Sequence, residues 1–77
     1  MEKIDTAVAT VLRKLRVKKG ISQEELSFRS ELHRTYISQL ERGLKSVTVK
    51  TVARITDVFE IEIDDFMKLV KNELKKL

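Results

Sequence analysis

The sequence predicts an all-α fold: a compact bundle of five short helices. Three observations carry that expectation. The chain has no Pro and only two Gly, Gly20 and Gly43, each just after a stretch on which a helix would end. Glycine takes the left-handed backbone needed past a helix without a side-chain clash. Apolar residues recur at spacings of three and four rather than alternating, the period of a helix with one buried face. Polar residues suited to capping stand ahead of several of these runs.

The first helix is expected from about Asp5, as N-cap, to Lys19. Val8, Leu12 and Leu15 form its inward stripe, and Arg16, Lys18 and Lys19 suit the negative end of its dipole. Ile21 then anchors a short linker. Ser22 with Glu25 three residues on reads as a capping box, so a second helix runs to about Ser30. It buries Leu26, with Phe28 expected in the core beside Phe59 and Phe66. Glu31-Leu32 turn the chain. A third helix spans about Arg34 to Arg42 behind His33 as cap, with Ile37 and Leu40 inward. Thr48 opens a fourth, Val49 to about Phe59, with Val49, Val52, Ile55 and Phe59 inward. A fifth starts at Asp64 or Asp65 and carries Ile63, Phe66, Met67, Val70, Leu74 and Leu77 on one stripe.

Residues 1–77 are read as a single domain. A chain of 77 residues buries only about 60% of its unfolded surface and is marginal alone. Cysteine is absent and there is one His, so neither a disulfide nor a thiolate or histidine metal site is expected. Oligomerisation is the remaining support. The apolar stripe of the last helix, Phe66, Val70, Leu74 and Leu77, extends beyond what so small a monomer needs to cover. The segment 64–77 is therefore expected to supply a dimer interface, the alternative being a terminal helix folded back on the first helix. The acids Asp57, Glu60, Glu62, Asp64 and Asp65 lack the alternating spacing and Gly turn of a calcium loop. No apolar run approaches the roughly 20 residues of a membrane span, and nothing resembles a signal peptide. A cytoplasmic protein is expected, with no membrane partner, cofactor or small-molecule ligand. No nucleophile–base pair, metal set or phosphate loop points to an enzyme or to catalytic residues.

Charge is distributed unevenly. Residues 13–54 hold eleven Lys/Arg and four acids, whereas residues 55–77 hold four Lys and six acids. The basic middle coincides with Ser22 to Gly43, SQEELSFRSELHRTYISQLERG, two short helices joined by a tight turn. That pattern is a helix-turn-helix, whose second helix fits the major groove of duplex DNA. With Ile37 and Leu40 inward, Arg34, Thr35, Ser38 and Gln39 turn outward as candidate base readers. Arg34 can donate two hydrogen bonds to guanine, and Thr35 can meet a base edge or a thymine methyl. Gln23, Tyr36, Arg42, Lys45, Ser46 and Thr48 are candidate backbone ligands, which fix register without reading sequence.

The same stretch, followed by the helix pair from Thr48 to Phe66, resembles the Cro/CI-type (XRE-like) helix-turn-helix family. Gln23, Glu24, Leu26, Tyr36, Ile37, Ser38, Glu41, Arg42 and Gly43 match its pattern. The resemblance spans roughly Leu12 to Leu69. It implies a lambda-repressor-like domain, and an ion pair between Arg16 and Glu41 that orients the third helix. HRTYIS in a chain of this size is similar to the controller proteins of restriction–modification systems, small dimeric regulators of operator repeats. Phage-type repressors and antitoxins share most of the motif. The chain departs from the family at three places: Glu31 stands where Gly is usual in the turn, Ser27 for Ala, and Val47 for Pro. A non-Gly residue at Glu31 implies about 1 kcal/mol of backbone strain or a shifted turn. The function expected is a sequence-specific, homodimeric duplex-DNA-binding regulator of transcription. The rival is a protein-interaction module such as an antitoxin, whose last helix docks on a toxin.

Overall fold

The computed structural model describes residues 2–77 and contains five helices and no strand among them. They are α1 (Lys3–Lys19), α2 (Gln23–Ser30), α3 (Arg34–Glu41), α4 (Val49–Phe59) and α5 (Ile63–Leu74). α1 packs along α5 and against α3, α2 packs on α3 and α4, and α4 meets α5. The core lies where these faces converge. Leu12, Leu26, Ile37, Leu40, Ile55 and Phe66 are wholly buried, with Val8, Val11, Val52 and Val70 around them. Each such side chain contributes about 1.5–3 kcal/mol on burial.

Helix ends follow local chemistry. Gly20 (φ 75) donates to Arg16 and Val17 carbonyls and Ile21 to Arg16, closing α1. Gly43 (φ 73) donates to Leu40 and Leu44 to Gln39, closing α3 in the same way. Ser22 Oγ accepts from Glu25 N at 3.0 Å. Thr48 Oγ1 accepts from Thr51 N at 3.1 Å. His33 Nδ1 accepts from Thr35 N at 3.1 Å and caps the start of α3. Glu31 keeps the tight turn at φ 60, and Ser27 Oγ secures it from α2 by donating to Leu32 O at 2.7 Å.

Five expectations are corrected. α1 begins at Lys3 with Glu2 as its cap, because the amides of Asp5 and Thr6 already bond to Glu2 O. Asp5 instead accepts from Ser46 Oγ at 2.8 Å. Phe28 is not core but 82% exposed. It lies two residues past the inward Leu26, about 200° round the helix, while Ser30, one turn on, is the buried partner. Val49 is 80% exposed, because the inward row of α4 is Thr51, Val52, Ile55 and Thr56. α5 begins at Ile63 behind Glu62, and its Phe66 and Val70 are closed inside the monomer at 0% and 1% exposure. They belong to the one core cluster that includes Val8, Val11 and Leu12 of α1, half-buried Leu74 leans on it, and α1 packs along α5. Phe66 and Val70 therefore cannot line a seam between copies.

Candidate nucleic-acid interface

α3 presents two opposite faces. Ile37, Leu40 and Glu41 are buried. Arg34 and Thr35 are exposed, and Ser38 and Gln39 are half-buried. At about 100° per residue these four, with Arg42 one turn beyond, occupy one half of the helix circumference. The structure thus gathers the four candidate base readers onto one accessible face. Arg42 and Lys45 follow at the end of α3, both exposed, and extend the positive surface.

The far end of α3 is pinned by a three-residue cluster. Arg16 Nε donates to Glu41 Oε2 at 2.6 Å and Arg16 Nη2 to Oε1 at 3.0 Å. Arg16 Nη1 donates to Ile21 O at 2.9 Å. The Glu41 side chain is only 3% exposed, so a fork-shaped guanidinium is the partner that neutralises it and fills both oxygens. That hydrogen bond holds the Arg16 pKa above its ordinary value. Gln23 Nε2 joins at 3.1 Å from Glu41 Oε1. One of its two amide protons is therefore occupied within the protein, and the other remains available for a phosphate.

Near the start of α4 a hydroxyl chain holds the loop. Thr48 Oγ1 donates to Thr51 Oγ1 at 3.0 Å. Thr51 Oγ1 lies 3.3 Å from Tyr36 Oη, and Tyr36 Oη donates to Ser46 O at 3.4 Å. With Thr48 donating to Thr51, a consistent network has Thr51 donating to Tyr36. Ser46 Oγ donates to Asp5. In the free chain the hydroxyl protons of Ser46 and Thr48 are thus committed internally, and Tyr36 braces the loop between α3 and α4. Sequence reasoning gave Thr51 no role, read Asp5 only as a helix cap, and read Glu24 only as a match to the family pattern. The last lies 3.4 Å from Arg34 Nη1 through its Oε2. Thr51 shows a sequence signal, since it sits three residues past a Thr cap.

An internally pinned helix that offers a polar, basic face beside a second short helix is the geometry of a helix-turn-helix module. The family model for helix-turn-helix proteins matches residues 12–66, and the chain belongs to that family. It is similar to the control protein C.BamHI of Bacillus amyloliquefaciens, with 37% identity over 57 residues, covering 73% of this chain and 70% of that protein. It is 34% identical over 61 residues to the HTH-type transcriptional regulator RamB of Mycobacterium tuberculosis, covering 79% of this chain but 13% of that regulator. Among solved structures, it is similar to the restriction–modification controller protein C.Esp1396I tetramer in complex with its natural 35 base-pair operator. There the TM-score is 0.87 at 32% identity, covering 96% of this chain and 97% of the other.

Proposed function

We propose that this protein is a sequence-specific duplex-DNA-binding regulator of transcription, of the controller type found in restriction–modification systems. The observation that carries the reading is the outward half of α3, where Arg34, Thr35, Ser38 and Gln39 stand together on a helix fixed from behind by Arg16 and Glu41. The likeness to a controller protein crystallised on its operator supports it. In this reading α3 enters the major groove. Arg34 offers its fork to guanine O6 and N7, and Thr35 and Ser38 meet neighbouring base edges. Gln39 reaches the groove wall. Arg42, Lys45 and the remaining amide proton of Gln23 bind phosphates, and Tyr36 holds the flanking loop in place. The phosphate contacts supply salt-sensitive affinity, and the base contacts supply choice of sequence. The test is enrichment of duplexes from a randomised pool at fixed salt. A shared sequence should emerge and bind far more tightly than the pool, whereas equal affinity for both would remove the reading.

The same proposal includes a homodimer, with its seam moved from the sequence expectation. Val49 (80% exposed), Ile63 (44%) and Met67 (43%) line one groove with Val47 between the start of α4 and the start of α5. Two copies meeting there bury a patch that is apolar at its centre and charged at its rim, where Glu62, Asp64, Lys68 and Lys71 lie. The monomer measures 31 × 24 × 23 Å. Two copies side by side can place their α3 helices about 34 Å apart, one turn of B-DNA, and a two-fold pair reads a palindrome.

A further inference from the structure

We infer that Glu24 is a positioning residue for Arg34, and that it sets how strongly the protein prefers its own DNA site over other DNA. This rests on the base-reading role given to Arg34 above. Glu24 is the second residue of α2 and Arg34 the first of α3. The two are ten positions apart, with Glu24 Oε2 3.4 Å from Arg34 Nη1. Both side chains are largely exposed, 77% and 65%, so the pair lies on the accessible surface rather than in the core. The backbones that carry it are fixed. Ser22 caps α2, Gln23 ties its first turn to Glu41, and His33 caps α3.

A guanidinium has five N–H donors, and the contact with Glu24 uses only one nitrogen. The remaining donors include a pair suited to guanine O6 and N7. Held at one nitrogen, the Arg34 head is preorganised for the base edge and is kept from swinging out to a phosphate. The Glu24 carboxylate also repels any phosphate that takes that place. Both effects act against non-cognate DNA, where an unrestrained Arg34 would gain a backbone contact on any sequence. A carboxylate beside the reading helix of a basic surface weakens general binding, and here it sharpens selection. Glu25, the next residue, engages Arg29 at 2.8 Å and serves as a control of equal charge.

The experiment measures binding at matched salt to two probes: a duplex enriched by the wild-type chain from a randomised pool, and the unselected pool itself. The proteins are wild type, Glu24→Gln, Glu25→Gln, Arg34→Ala and Glu24→Gln/Arg34→Ala. Glu24→Gln should raise affinity for the pool and lower the ratio of selected to pool affinity by about two- to five-fold, the scale of an exposed ion pair. Preference should relax at the same base pair that Arg34→Ala relaxes. In the Arg34→Ala background the added Glu24→Gln should leave the ratio unchanged. An unaltered ratio in the single variant, an equal fall in the Arg34→Ala background, or an equal fall with Glu25→Gln would overturn the inference while leaving the operator reading intact. Failure of the wild-type chain to enrich any duplex would overturn both.

Discussion

Arg16, Gln23 and Glu41 come from three different helices, yet they fix the side chain geometry that the rest of the molecule needs. Glu41 is buried, and removing it leaves the Arg16 guanidinium without its carboxylate. Glu41→Ala should cost about 2–3 kcal/mol in denaturant unfolding. A loss within about 0.5 kcal/mol, the range of an inert surface change, would contradict the role. The pairing of the two charged members was legible because the family resemblance implies it, but the tie from Gln23 to Glu41 was not. A glutamine in the first turn of a helix looks like a surface residue until the fold brings Glu41 to it. Ser46 and Asp5 illustrate the same limit, since they are 41 positions apart and no local pattern joins them. Arg34 is the other decisive residue. Arg34→Ala should cost roughly 1–3 kcal/mol of binding and relax discrimination at one base pair, read from affinities for single-substitution duplexes. A uniform loss across all of them would assign Arg34 to phosphate instead.

At the scale of the element, helix existence and order were legible, because caps, glycines and the three-four spacing all agree. Inward faces were less so in the shortest helices. Eight residues make about two turns, too few for the period to fix the face, and Phe28 was misplaced for that reason. Val49 failed at a helix start, where the first residue lies off the buried row. The turn at Glu31 was read as a departure with a cost, and it takes the left-handed conformation at φ 60. Glu60 does the same at φ 56, without a motif to flag it. Glu31→Gly should therefore raise stability by about 1 kcal/mol, measured by denaturant titration, and a loss of similar size would contradict the strain. α1 and α5 are also joined by Lys14 and Glu73 at 3.0 Å, with Lys76 3.3 Å from the same oxygen. Hydrogen bonds from Lys14 first and Lys76 second hold the Glu73 pKa below its usual value. A carboxyl lowered in the folded state stabilises above its unfolded pKa, and that contribution is lost as pH falls through the folded one. Glu73→Gln should thus lower stability at neutral pH and flatten its fall on the acid side, the two proteins converging at low pH in denaturant titrations.

The whole molecule distributes its surfaces by function. The α3 face is polar and basic, and the start of α4 with the start of α5 is apolar and exposed. Whole-fold architecture was legible from sequence, whereas which apolar side chains of the last helix stay at the surface was not. A helix stripe shows which residues are apolar but not whether a neighbouring helix or a second copy covers them, and α1 claims Phe66 and Val70. Met67→Glu should shift the protein to monomer in sedimentation and weaken binding to a palindromic duplex more than to one half-site. An unchanged sedimentation coefficient would place the seam elsewhere. The most direct test of groove reading by α3 is the change in backbone amide resonances when the enriched duplex is titrated in. The largest changes should fall on Arg34, Thr35, Ser38 and Gln39, with smaller ones at Gln23, Arg42 and Lys45. Changes concentrated on the outer faces of α1 and α5, with α3 undisturbed, would contradict it.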